Sequence, residues 1–79
     1  MDNLKVTYEQ EFESVVEYHE NGNVWYTGQF LNDEAHGLWE IYHYNGNLWY
    51  KGYFNHGQEI GLWEWYDEDG ENLIQELYV

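Results

Sequence analysis

Three kinds of side chain in this sequence could do chemistry: the four histidines, the sixteen carboxylates, and an aromatic set of five Trp, nine Tyr and three Phe. His19, His36, His43 and His56 suggest a metal site, with His19 and His43 able to stack if they sit on neighbouring hairpins. A zinc site needs three or four converging ligands, and neither an H-x-x-x-H spacing nor any cysteine is present to supply them. The histidines therefore read as polar strand and loop residues, and no metal or other cofactor is expected. A general acid and base pair needs a carboxylate isolated in apolar surroundings, where its pKa rises. Sixteen acids scattered over the chain read instead as solvated surface. There is no Ser-His-Asp signature, no phosphate-cradling loop and no Arg to clamp an anion, so no catalytic residue is assigned.

Recognition is the chemistry left. Trp39, Trp49, Tyr53, Trp63 and Trp65 are candidates for an aromatic binding face, because aromatic rings dominate interface hot spots and stack on flat ligands. The alternative is that they fill a core. Glu9, Glu11, Glu13, Glu17, Glu64, Asp67, Glu68, Asp69 and Glu71 are candidates for an acidic binding strip that stands in for phosphates. With two Lys, no Arg and a formal net charge of −14, the chain lacks the basic footprint that DNA, RNA or anionic lipid requires. The expected partner is a protein with a basic surface.

The elements that must position these residues are strands. Asn45-Gly46 lies between two runs rich in Trp, Tyr and Leu, a hairpin signal that predicts a two-residue type I′ turn with positive φ at both positions. Asn21-Gly22 and Asp69-Gly70 predict two more turns. Residues 14–37 laid over 38–61 agree at ten of 24 positions, among them His19/His43, Asn21-Gly22-Asn23/Asn45-Gly46-Asn47, Trp25-Tyr26/Trp49-Tyr50 and Gly28/Gly52. Leu62-Trp63-Glu64 starts a third copy that fades after Gly70. The expected organisation is one domain over 1–79, with an N-terminal strand (1–13), repeat 1 (14–37), repeat 2 (38–61) and a partial repeat 3 (62–79).

In the N-terminal segment Leu4, Val6, Tyr8 and Phe12 alternate with polar residues, which favours a strand, although Tyr8, Phe12 and Val16 also fit a helical spacing. With parity carried through a two-residue turn, Leu38, Tyr42, Leu48, Tyr50, Gly52 and Phe54 share one face. Trp39, Ile41, Trp49, Tyr53, Trp63 and Trp65 share the other. Gly28 and Gly52 are expected to let an aromatic ring pack closely over a strand.

The pattern Gly37, Trp39, Tyr42, Asn45, Gly46, Leu48, Gly52, Phe54, Gly57 and Gly61 resembles the MORN repeat, in the variant found in small bacterial and phage proteins, some of them labelled antitoxins. The resemblance covers about residues 14–72. It implies an all-β fold of antiparallel hairpins forming one elongated, twisted sheet, and a role as an interaction scaffold. Val15 in place of the Trp and Asp33 in place of the loop Gly depart from the pattern and leave the connection 31–36 open.

Together these readings give a non-enzymatic acidic module, of phage or bacterial origin, that binds and inhibits a basic toxin, defence nuclease or other nucleic-acid-binding protein. A small-ligand binder with an aromatic cleft and a purely structural or assembly protein are the alternatives. The absence of cysteine, of a targeting segment and of a membrane-length apolar run fits a cytoplasmic setting. Open edge strands and a thin core predict a homodimer.

Overall fold

The computed structural model describes residues 10–79, which form one open antiparallel sheet. The strands are β1 (Phe12–Tyr18), β2 (Val24–Leu31), β3 (Glu34–Ala35), β4 (Gly37–Tyr42), β5 (Leu48–Asn55), β6 (Gln58–Tyr66) and β7 (Asn72–Tyr78). Their order is β1-β2-β4-β5-β6-β7, with β3 paired to β2. Extents of 64 × 32 × 12 Å describe a single layer. Phe12–Tyr18 takes the strand that its alternation predicts and not the helix its four-residue spacing allows. Leu4, Val6, Tyr8 and Glu9 lie outside the described residues.

The turns fall at Asn21-Gly22, Asn45-Gly46 and Asp69-Gly70, but they are not type I′. Only the glycines take positive φ (95°, 96° and 91°), and each connection closes by paired bonds such as His43 N to Asn47 O (2.8 Å) and Gly46 N to His43 O (2.9 Å). A turn followed by a left-handed glycine gives a longer loop than two residues. The loops with positive φ at both central residues are at the other end of the hairpins: Asn32-Asp33 (49° and 68°) and His56-Gly57 (48° and 83°), between the pairs Leu31↔Glu34 and Asn55↔Gln58. In the connection 31–36, Asp33 takes the conformation that Gly57 has in the next copy.

Register corrects the expected faces. Trp39 pairs with Gly52, Ile41 with Tyr50 and Gly37 with Phe54. Directly opposed residues share a face, and here their numbers sum to an odd value, so parity switches at every turn. Trp39 and Ile41 therefore stand with Tyr50, Gly52 and Phe54, while Leu38 stands with Tyr53. In each of the three Asn-Gly or Asp-Gly hairpins one residue is extra in the ladder: Trp25, Trp49 and Leu73, at the shifts beside Glu17/Tyr18, Ile41/Tyr42 and Trp65/Tyr66.

The core is thin. Leu31, Trp39 and Trp63 are the buried hydrophobic residues among those described. Trp39 lies flat over Gly28, and Trp63 over Gly52; a Cβ on either glycine would fall inside the indole. These two joints tie one hairpin to the next. A second tie runs along the turns. His19 Nε2 donates to Tyr42 O (2.9 Å), and Asn21 and Asn23 Nδ2 donate to Tyr44 O (2.7 and 3.0 Å). One repeat on, His43 donates to Tyr66 O, and Asn45 and Asn47 donate to Glu68 O (2.9, 2.9 and 2.7 Å).

Candidate functional site

One face of the sheet carries a trough of about 460 Å³ floored and walled by Trp25, Tyr26, Phe30, Trp39, Ile41, Tyr50, Phe54 and Trp63, with Glu59 at one end. The rings interlock. Phe30 and Phe54 meet Trp39 edge-on (5.2 and 6.1 Å), Phe54 meets Trp63 edge-on at 5.1 Å, and Tyr26 and Tyr50 stack on Trp39 and Trp63 at 6.0 and 6.5 Å. Edge-to-face and offset contacts of this kind suit the ring quadrupole and add about 0.5 to 1.5 kcal/mol each. The floor is thus packed ring against ring.

Carboxylates stand around this floor. Glu13 and Glu17 of β1 oppose Phe30 and Tyr26, Glu59 opposes Phe54, and Glu76 of β7 opposes Trp63. The Tyr78 hydroxyl donates to Glu76 (2.7 Å), and this bond, with burial second, raises the Tyr78 pKa. Among the described residues the single Lys or Arg is Lys51, on the other face and opposite Glu40 and Glu64. The trough therefore has an aromatic floor, an acidic margin and no lysine or arginine of its own among the described residues.

The structure divides the aromatic residues expected to share a face. Trp39, Trp63 and Trp65 stand together on the trough face, but Trp39 and Trp63 are only 8% and 2% exposed and serve as floor. Tyr53 lies on the opposite face. Trp49 occupies the extra ladder position and stacks on His43 at 5.1 Å, as Trp25 does on His19 at 5.7 Å. Trp25, Tyr26, Phe30, Tyr50 and Phe54 complete the trough and were not among the residues singled out in the sequence. Their signal was available in the recurrence of Trp-Tyr-x-Gly-x-Phe at 25–30 and 49–54.

The acidic residues are divided too. Glu11 is held to the Asn32 loop by two bonds (2.9 and 3.1 Å), Glu13 and Glu17 border the trough, and Glu64 lies on the far face, hydrogen-bonded to Gln75 at 2.8 Å. Asp67, Glu68, Asp69 and Glu71 make up the third turn. There Asp67 Oδ1 accepts the backbone N-H groups of Asp69 and Glu71 (both 2.9 Å) and so shapes the turn.

Nε2 of His19 and of His43 is committed to a carbonyl of the next hairpin, Tyr42 O and Tyr66 O. His36 and His56 lie 5.1 Å apart at the opposite end, with His56 Nδ1 3.4 Å from Glu34. Among the described residues no group of three or more His, Asp or Glu converges as metal ligands.

Comparison with known proteins gives a family match over three segments, residues 14–32, 35–56 and 59–79, to the MORN repeat variant. No curated protein and no solved structure matches the chain. With three copies over most of its length, and with the Trp-over-Gly joints and laddered turns recurring at the same 24-residue interval, the chain belongs to the MORN repeat variant family.

Proposed function

We propose that this domain is a non-enzymatic binding module that docks on a basic protein, such as a nuclease or toxin, and inhibits it by covering a surface that nucleic acid would use. The observation behind this reading is the open aromatic trough with its acidic margin, in a chain of net charge −14. Charge of one sign speeds encounter with a basic partner, and aromatic contacts slow departure. Because Trp39 and Trp63 are floor, the anchors are rings with free surface, chiefly Trp25, which is 45% exposed, while Trp65 is half-buried. An Arg or Lys side chain laid over such a ring gains a cation–π contact of about 0.5 to 2 kcal/mol. The trough volume also suits a flat small molecule, since ligand pockets span about 300 to 1,000 Å³.

The test is capture from a bacterial lysate at low and high salt, followed by an activity assay on whatever is retained. The wild-type chain is compared with a variant carrying Glu13→Gln, Glu17→Gln, Glu59→Gln and Glu76→Gln. The expected result is a basic nucleic-acid enzyme retained at low salt by the wild type, released at high salt, lost with the variant, and inhibited in the complex. Retention that ignores salt and the four substitutions contradicts the reading. A small molecule carried through native mass spectrometry in place of a protein supports the second one.

A further inference from the structure

We propose that two copies of this chain join edge to edge through β7, antiparallel and centred on Gln75, to make one continuous sheet. Among the described residues β1 and β7 are the outer strands. An outer strand leaves half its N-H and C=O groups without a partner in the sheet and is a template for another strand. Three pairings of these edges are possible, and the side chains decide between them.

Joining β7 of one copy to β1 of the next would continue the array, but both ties that hold the repeats together are missing there. Glu76 occupies the position of Gly28 and Gly52, and Val15 that of Trp39 and Trp63, so no indole is available and no bare strand waits to receive one. In the third turn Asp67, Asp69 and Glu71 replace the His, Asn and Asn that donate across the first two turns, leaving acceptors where donors are needed. Joining β1 to itself, with full overlap about Val15, puts Glu13 opposite Glu17 twice. Like charges directly opposed destabilise a sheet pair.

Joining β7 to itself about Gln75 pairs Ile74 with Glu76 and Gln75 with its symmetry mate, and brings Leu73, the extra residue of this strand's ladder, beside Leu77. No carboxylate then faces a carboxylate. Leu73 and Leu77, 60% and 72% exposed, come near each other twice. The pairing is isologous, so it closes at two copies and does not grow into a fibre.

Sedimentation equilibrium of the 79-residue chain at tens of micromolar and physiological salt is expected to give twice the 9.7 kDa monomer mass. Ile74→Glu sets a carboxylate against Glu76 of the second copy at two places and is expected to return the mass to that of the monomer. Adding Glu76→Lys to Ile74→Glu is expected to restore the dimer, whereas Val16→Glu on β1 leaves it intact. In this cysteine-free chain Gln75→Cys gives an independent readout, because opposed antiparallel residues sit about 4.5 to 5.5 Å apart at Cα, within reach of a disulfide. Oxidation is expected to yield a covalent dimer from Gln75→Cys and none from Val15→Cys. A wild-type mass of 9.7 kDa, a mass that keeps rising with concentration, or cross-linking through Val15→Cys in place of Gln75→Cys would overturn the proposal.

Discussion

The middle of the sheet and its margins hold the same repeat positions filled by different residues. In the middle, Trp39 lies on Gly28 and Trp63 on Gly52, and His, Asn and Asn reach from each turn to the carbonyls of the next. At the margins these positions carry Val15, Glu76, Asp67, Asp69 and Glu71. The repeat is therefore a joint, built only where two hairpins meet. Among the described residues a single layer 12 Å thick has no second layer to hide its core, so burial is concentrated at these joints.

The sharpest way to break the contrast is to place a methyl group in a joint. Gly52→Ala puts Cβ inside the Trp63 indole and forces the ring or the strand to move, at a cost on the order of 3 kcal/mol. At the same repeat position in β7, Glu76→Ala is expected to stay within about 0.5 kcal/mol. Urea midpoints of the two variants check this; equal shifts would remove the distinction between middle and margin.

Removing the other half of the joint has an effect at least as large. Trp63→Ala and Trp39→Ala are expected to cost roughly 3 to 5 kcal/mol each. Trp63 should cost more, since it is the more buried ring and also meets Trp65 and Tyr78 at 6.3 and 6.0 Å. Val15→Ala, at the Trp position of the first strand, should cost about 1 kcal/mol or less. Trp39 proving costlier than Trp63 would show that β7 does not support the second joint.

The turn ladder is a smaller term. Asn47→Ala removes the bond to Glu68 O, worth about 1 kcal/mol, while Glu71→Ala at the third turn removes no cross-turn bond. Backbone hydrogen exchange at Asp69 and Gly70 should quicken in the first variant and not in the second.

The smallest effect is alkaline. Burial, then the carboxylate of Glu40, raises the Tyr42 pKa above the ordinary phenol value of 10.0. The unfolded chain ionises first, so the contribution is present in full below pH 10.0 and is lost as pH rises through the folded-state pKa. Tyr42→Phe should flatten the fall of stability above that pH, as followed by thermal melts.

Much of the fold was legible because it is local. Asn45-Gly46 and its equivalents mark turns through a glycine that takes positive φ, and Gly28 and Gly52 mark the absence of a Cβ under a ring. The expected faces fail because parity does not carry through a two-residue turn, where residue i opposes i+3; the longer loops at Asn21-Gly22, Asn45-Gly46 and Asp69-Gly70 do carry it, and the extra residues Trp25, Trp49 and Leu73 then switch it. The two-residue turn at His56-Gly57 is obscured by His56, a residue with a weaker preference for positive φ than Gly, and that at Asn32-Asp33 by Asp33 standing where the next copy has Gly57. The cross-turn role of His19 and His43 was hidden because their acceptors lie 23 positions away and come near only once the sheet is paired. The trough was half visible: its Trp floor was named, while Tyr26, Phe30, Tyr50 and Phe54 needed the register to bring them together.

The central claim, that the aromatic trough takes up basic polypeptide, is tested most directly by mapping a probe onto the sheet with nuclear magnetic resonance. An Arg- and Lys-rich peptide and its Glu-substituted counterpart are titrated into the labelled chain at low and high salt, with the Trp indole N-H signals as reporters. The basic peptide is expected to shift Trp25 and Trp65 and the backbone of Glu13, Glu17 and Glu76, to lose affinity as salt rises, and to leave Tyr53 and Lys51 on the far face unmoved. Shifts centred on Tyr53 and Lys51, or equal shifts with the acidic peptide, would contradict it.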